Sequence, residues 1–431
     1  MSSDVLYLVA LENIADSAIF SNQVKKLLFR IKKEGGDSVS LTLVCLLPWL
    51  ELTRRGIYSN FRRHRLWLRE LEEEFRDRGV RLKLVRTLFP SAFFNMGIMG
   101  LAWYCLVALP VVWFLIFISR ARVVHCRYYY SCFAALLAAR LSFHRVTVIF
   151  DVRTFLPEQG IVNGNWSKDS PTFRFWKAVE RWMFSHADRV MSVSQSMSRR
   201  IKEIIPGVPV ETVPNFVDLE FFRPDRDLRE RKRLELSLEA REVLVFSGTL
   251  GARYPAQRIA ECVQVFFRAF GGKSFLLVLT SSDEKRLAPL TGALASLGLE
   301  RHVHWQSLAI SAGEVPDYLN AADWALLVLA DFLTSETFLP LKFGEYLAVG
   351  LPILAHPANR EIIRLVENDT VGMALDPGME PQALRARLVE NSGQMRKRCL
   401  ELARREFDIN SYALRYLEIY RELAEKAEYD F

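Results

Sequence analysis

An α/β chain of two Rossmann-like, doubly wound domains facing a central cleft is the fold class predicted by three features of the 431 residues. Short apolar runs alternate with longer helical patterns along nearly the whole length, which is the signature of right-handed βαβ units and parallel sheets. A break at Pro206-Gly207 and Pro214-Asn215, followed by polar sequence through Arg241, cuts the alternation in two. The same phrase, Ala187-Asp188 and Ala322-Asp323, leads into a strand in each half. A chain of this length is too long for one core and suits two domains of about 200 residues each.

In the first domain, placed at 1–215, strands are predicted at 5–11, 38–47 and 80–85, with helices at 19–33 and near 61–77 and a Gly35-Gly36 turn. Beyond an apolar segment, strands at 123–126, 145–150 and 189–193 alternate with helices near 129–141, 171–184 and 196–204. In the second domain, placed at 216–409, strands are predicted at 243–247, 275–280, 303–306, 324–329 and 352–355, each followed by a helical pattern. The charged amphipathic stretch 410–428 reads as a terminal helix, within 410–431, that braces the domains. Doubly wound sheets bind ligands at the carboxyl ends of their strands, so two such domains sharing a cleft suit a two-substrate enzyme.

Half of the residues are hydrophobic, enough for two packed cores. The six cysteines show no paired metal-ligand spacing and fit a reducing compartment. The N-terminal MSSDVLYLVALEN lacks a basic region ahead of an apolar core, so no signal peptide is expected. The net charge of +7 is concentrated locally: residues 51–86 hold eleven Lys and Arg against six acids. Such a run is most often a solvated helix face, and otherwise attracts an anionic membrane surface or nucleic acid.

The 33 residues from Thr87 to Ser119 contain no charged residue or histidine, longer than the ~20 that cross a bilayer. A crossing there would strand parts of one sheet on opposite sides of a membrane. A buried or interfacial helical pair bending near Pro110 is therefore expected, with the preceding basic run and Arg120 and Arg122 facing headgroups.

The densest chemical signal is SETFLPLKFGEYLAVGLPIL, Ser335 to Leu354. Pro340 suits a first helical position and Gly350 a left-handed stop, so a helix of about ten residues presents backbone N–H groups and a positive dipole end. Lys342 lies in its first turn and Glu345 one turn further on, partners for a diphosphate and a diol. The turn Gly248-Thr249-Leu250-Gly251 after the second domain's first strand, with Arg253 following, permits close backbone approach beside a cation. In the first domain, Phe150 to Glu158 sets Asp151 at a strand end, then Arg153 and Glu158; an ion pair and a catalytic group are equally natural there. His125 ends the neighbouring strand with Arg127, either as a satisfied strand-end histidine or as a participant. Asp16 and Ser17 can cap the first helix or touch substrate, and Gln23 lies within it. The one Asp-x-Asp, Asp225-Arg226-Asp227, falls in interdomain polar sequence and reads as surface charge.

The 335–354 stretch resembles the donor-site segment of the retaining glycosyltransferases of family 4, in which two glutamates seven residues apart precede an A-x-G-x-P turn. Glu345, Ala348, Gly350 and Pro352 match; the first glutamate position falls on Thr337, with Glu336 one residue early. The Gly248 turn resembles that family's G-x-L turn, with the usual lysine slot on or beside Tyr254, and Asp151 to Glu158 is similar to its D-x-R-G-x-x-x-E stretch with Thr154 for glycine. The resemblance implies the GT-B fold; together with the basic run and the uncharged segment it gives the expectation of a membrane-associated, cytoplasmic enzyme on the inner face of the cell membrane. That enzyme would move a sugar from a nucleotide-diphosphate sugar to a lipid-linked or cell-surface glycan acceptor, as in lipopolysaccharide and other polysaccharide biosynthesis. It implies donor binding by Gly248, Thr249, Arg253, Ser335, Glu336, Thr337, Lys342 and Glu345, and an acceptor loop with Asp16, Ser17 and Gln23. Catalytic roles would fall on Asp151, Arg153, Glu158 and His125, with retention, no metal and no cofactor beyond the donor itself. The alternatives are a sugar-nucleotide 2-epimerase of the same fold, or a non-catalytic protein binding membranes or nucleic acid through its basic run. The uncharged stretch beside that run favours the membrane and no nucleic acid.

Overall fold

The computed structural model describes residues 3–10, 14, 18–48, 61–88, 97–280, 284–299, 301, 303–307, 313–330, 337, 339–356, 360–375, 378 and 380–429. The chain forms two compact units, Met1–Val213 with Ile409–Phe431, and Pro214–Asp408. Each is a parallel sheet between helical layers, the α/β architecture the alternation predicts.

The first unit begins with β1 (Ser3–Ala10), followed by α1 (Ala18–Phe20), a π-helical turn (Ser21–Lys25) and α2 (Lys26–Gly35). Then come β2 (Val39–Pro48), α3 (Phe61–Asp77), β3 (Arg81–Thr87), α4 (Gly97–Ser119), β4 (Val123–Arg127) and α5 (Tyr129–Arg140). β5 (Thr147–Val152), α6 (Leu156–Val162), α7 (Pro171–His186), β6 (Arg189–Ser192), α8 (Gln195–Ile204) and β7 (Val210–Thr212) complete the run. Its sheet order is β3-β2-β1-β4-β5-β6-β7. The second unit contains α9 (Arg226–Glu235), β8 (Glu242–Ser247), α10 (Ala256–Phe270), β9 (Ser274–Thr280), α11 (Glu284–Ser296) and β10 (Val303–Ser307). It continues with α12 (Val315–Ala321), β11 (Trp324–Leu327), α13 (Leu341–Ala348), β12 (Ile353–Ala355), α14 (Arg360–Asn368), β13 (Gly372–Ala374) and α15 (Pro381–Glu406). Its order is β10-β9-β8-β11-β12-β13, and in both sheets the order reverses beside the first strand, where doubly wound folds hold ligands.

The repeated Ala-Asp phrase has a shared structural cause. The Asp188 carboxylate accepts from the Val148 N–H at 3.0 Å while its own N–H donates to the Val148 carbonyl. Asp323 does the same with Val243 in the second unit, at 2.9 Å from the N–H. Each aspartate therefore ties the start of one parallel strand to that of its neighbour. Asp188 is balanced by Lys426, and Asp323 by Arg229 and Arg233.

Among the elements that escaped the sequence reading because they are short or strongly polar are β7, β13, α6 and the charged α9. The terminal helix α16 (Ile409–Tyr429) packs into the first unit, with Tyr416 and Tyr420 fully buried there. The expected helical pair at 87–119 is, over its described part, one helix that continues through Pro110. Its strands on either side settle its place. β3 pairs with β2 and β4 with β1, so both ends of α4 return to one sheet. One side of α4, including Leu101, Tyr104, Ala108 and Val112, is buried in the unit's core, while Leu106, Phe114 and Phe117 on the other are exposed.

Candidate active site

In the second unit, β8 ends at Ser247 and the backbone turns through Gly248 with φ +150°, a conformation that side chains rarely adopt. α13 starts after Pro340, and no side chain caps it among the described residues. It stops with the Gly350 and Leu351 N–H groups donating to the Leu347 and Tyr346 carbonyls, with Gly350 at φ +73°; this is the Schellman pattern that places glycine just past a helix end. Pro340 thus stands at the cap rather than inside the first turn. The Tyr346 hydroxyl accepts from the Ser247 N–H at 2.9 Å, locking α13 to the end of β8.

That lock delivers Lys342 to the glycine turn. A Cβ on Gly248 would lie 2.2 Å from Lys342 Nζ, so only a glycine leaves room for the ammonium. Nζ sits 3.8 Å from the centroid of the Tyr254 ring and 4.6 Å from that of Phe246, positions that favour a cation electrostatically. It is buried with no hydrogen-bond partner among the described residues. Burial lowers its pKa to about 7, with Glu345 pulling in the opposite direction. Burial likewise raises the Tyr254 hydroxyl to about 12, with Arg253 opposing and Glu345 adding to the shift. Arg253, Tyr254, Lys342 and Glu345 therefore share one electrostatic neighbourhood. The Arg253 carbonyl accepts from the Ala330 N–H, holding the turn against the chain leaving β11. Thr249 is exposed, Thr337 is buried, and Ser335 and Glu336 lie outside the described residues. A buried cation with no hydrogen-bond partner among the described residues, beside a glycine turn and a helix start with no side-chain cap among them, is chemistry suited to an anion such as a diphosphate.

In the first unit, the Asp151 carboxylate lies at the end of β5 in full burial. Arg153 Nη1 is 3.3 Å from it, Arg127 Nη1 3.5 Å and His125 Nε2 3.7 Å. Burial alone would raise its pKa, but the charge of Arg153 and then Arg127, with His125 close by, outweighs it and holds the carboxyl well below the usual range. His125 is pushed down, chiefly by burial, so it is neutral near pH 7. Its Nδ1 is 2.8 Å from the Tyr420 hydroxyl, and its ring lies against Tyr7 and Tyr416. The helix α16 thus anchors this histidine, a link the sequence could have hinted at through the Tyr416-x-x-x-Tyr420 spacing. Arg153 Nη2 donates to Gln23 Oε1 at 3.2 Å, which brings the π-turn into the same cluster. Such turns inside helices commonly mark functional sites.

Glu158 joins a different group. Lys177 Nζ is 3.1 Å from Glu158 and also pairs with the buried Glu180, whose carboxylate accepts from the Tyr129 hydroxyl. Burial, with Glu158 adding to it, raises Glu180 to about 7 against the pull of Lys177. Asp16 and Ser17 lie outside the described residues. Asp225 caps α9 through the Leu228 N–H. Among the described residues no group of three His, Cys, Asp or Glu is placed to hold a metal ion.

Residues 66–221 match the model of Glycosyltransferase Family 4. A sequence comparison with characterised proteins finds no significant match. Three solved structures show the fold over nearly the entire chain. HepE from Anabaena, in complex with UDP and glucose, has 13% identity and a TM-score of 0.65, covering 97% of this chain and 100% of its own. Sucrose-phosphate synthase from Thermosynechococcus elongatus has 15% identity and a TM-score of 0.69, covering 98% and 99%. WaaG, a glycosyltransferase involved in lipopolysaccharide biosynthesis, has 12% identity and a TM-score of 0.61, covering 96% and 99%.

Proposed function

We propose that this chain, which has the GT-B fold and whose residues 66–221 match the Glycosyltransferase Family 4 model, is a glycosyltransferase that moves a sugar from a nucleotide-diphosphate sugar to a lipid-linked or cell-surface glycan acceptor. The observation that carries this reading is Lys342, a buried ammonium without a hydrogen-bond partner among the described residues, seated against Gly248 at the start of α13. The diphosphate would occupy this turn, neutralised by Lys342, Arg253 and the positive end of α13. Glu345 would accept from the ribose hydroxyls, and the turn at 335–337 would enclose the sugar. HepE, solved with UDP and glucose, makes UDP the first nucleotide to test.

In this mechanism the configuration at the anomeric carbon is retained without a covalent protein intermediate. As the sugar–oxygen bond to the diphosphate breaks, charge builds on the leaving diphosphate, and the cations there lower the barrier by stabilising it. The leaving oxygen takes the proton from the acceptor hydroxyl. No metal is required, because fixed protein charge supplies the neutralisation. In the first unit, Arg153, held by Gln23 and Asp151, would position the acceptor, with Asp151 kept ionised by its arginines. His125 would act through positioning, since Tyr420 and Asp151 flank its ring nitrogens.

We place the enzyme in the cytoplasm, peripheral on the inner membrane face. The exposed apolar side of α4 supports that reading. A thermal-shift panel of UDP, GDP, CDP and ADP with their sugar conjugates tests the donor: one nucleotide should stabilise the protein, and stabilisation by none would sink the proposal.

A further inference from the structure

At the C-terminal end of α4, a cavity of about 680 Å³ opens between Phe117, Ile118, Phe143 and three arginines, Arg120, Arg122 and Arg145. One carboxylate, Glu428, enters it, 3.2 Å from Arg122, so the lining keeps an excess of positive charge. Arg120 is exposed and held at φ +49°, the left-handed position past a helix end where glycine is the favoured residue. Spending an arginine there is a cost the fold does not need for stopping the helix.

The apolar rim is continuous with the exposed side of α4. Trp113 stacks near Phe117, with ring centroids 6.0 Å apart, and both stand about 6 Å from Phe143. The Trp113 indole N–H donates to the Leu141 carbonyl at 3.0 Å, so its polar edge is satisfied while its face stays with the cluster. Most of the exposed large hydrophobic side chains among the described residues lie on α4 or beside it. Aromatic side chains beside basic ones at the end of an apolar helix match the boundary between acyl chains and headgroups.

The cavity lies at the edge of the first unit remote from Asp151. α4 follows β3, runs back along the sheet for about 34 Å at the usual helical rise, and hands over to β4 at its amino end. Asp151 and Arg127 are at the opposite, carboxyl ends of the strands. An acceptor positioned at Asp151 would therefore be a separate molecule from an occupant of this cavity.

We infer that the Arg120–Arg122–Arg145 cavity is a binding site for the phosphate headgroup of an anionic phospholipid in the bilayer on which α4 lies. The inference rests on the peripheral membrane reading above and adds a second, non-acceptor lipid site that fixes how the first unit is oriented on the surface. The arginines supply the charge complementarity, and Phe117, Ile118 and Phe143 take the acyl chain's first carbons.

Flotation of the full-length protein with vesicles of phosphatidylcholine, with and without phosphatidylglycerol, tests it. The wild type should prefer the phosphatidylglycerol vesicles. Arg120→Gly with Arg145→Ser should reduce partitioning onto them by about thirtyfold, as expected for two basic residues at a membrane surface, and leave binding to neutral vesicles unchanged. Arg120→Gly alone suits the left-handed backbone, so it reports on the site even if the double variant folds poorly. Equal binding of wild type to both vesicle types overturns the inference. So does an equal loss from Arg199→Ser with Arg200→Ser, an exposed pair on α8, which would mean diffuse attraction. Nucleotide binding measured on the same preparations separates the two claims. Nucleotide binding without headgroup preference removes the lipid site and leaves the transferase reading, and headgroup preference without nucleotide binding does the reverse.

Discussion

Lys342 Nζ occupies the space that a side chain on Gly248 would fill, 2.2 Å from where its Cβ would stand. The glycine at the end of β8 and the lysine in the first turn of α13 therefore share one space, where the proposed diphosphate would sit. Gly248→Ala should displace the ammonium and strain a backbone at φ +150°. Nucleotide affinity, measured by calorimetry, is expected to fall by at least about tenfold, with a loss of roughly 1–3 kcal/mol in stability.

Burial with no hydrogen-bond partner among the described residues makes Lys342 a cost to the unliganded protein. With its pKa lowered from 10.5 to about 7, the folded state gives up this proton in a range where the unfolded chain still holds it. Its destabilising effect is therefore complete below about pH 7 and fades as pH rises towards 10.5. Lys342→Met should raise unliganded stability at pH 6 by about 2 kcal/mol in denaturant titrations, while weakening diphosphate binding to the level of the nucleoside. A destabilised Lys342→Met protein would mean that the ammonium has a structural partner.

The same lysine couples binding to protons. At pH 8 Lys342 is largely neutral, and a bound diphosphate would restore its charge. Calorimetry in buffers of different ionisation enthalpy should show uptake of up to about one proton per nucleotide at pH 8, fading below pH 6. Lys342→Met should show no such uptake.

Asp151 balances two arginines from inside the first unit. Asp151→Asn removes the carboxylate charge that Arg127 and Arg153 share, and should cost about 3–5 kcal/mol of stability. Transfer at permissive temperature should fall by at least about a hundredfold, with donor affinity unchanged.

Tyr420 reaches back from the terminal helix to His125. Tyr420→Phe removes only the hydroxyl and leaves a buried ring nitrogen unsatisfied, at about 1–3 kcal/mol in thermal or chemical unfolding. Nucleotide affinity should not change, because the donor turn belongs to the other unit.

Local pattern made most of this legible. Period and punctuation located the helix that carries Lys342 and its Gly350 stop, because capping is a short-range property of four or five residues. Asp151 and Arg153 were visible for the same reason, as neighbours at the end of an apolar strand. The Gln23–Arg153 bond and the Tyr420–His125 bond were not, since each joins residues more than a hundred positions apart. Glu158 shows the limit most clearly. Five residues from Arg153, it pairs with Lys177, because α6 carries it towards α7. The Tyr254 ring under Lys342, at a position where the resemblance places a lysine, likewise needed the fold to give it a role: a second ammonium there would repel the first, and an aromatic face attracts it.

The most direct test of the diphosphate site is a calorimetric titration of the stabilising nucleoside diphosphate, and of its parent nucleoside, into wild type and Lys342→Met. Wild type should bind the diphosphate far more tightly than the nucleoside, and the variant should bind both weakly and alike. Equal diphosphate affinity in the two proteins would contradict the account.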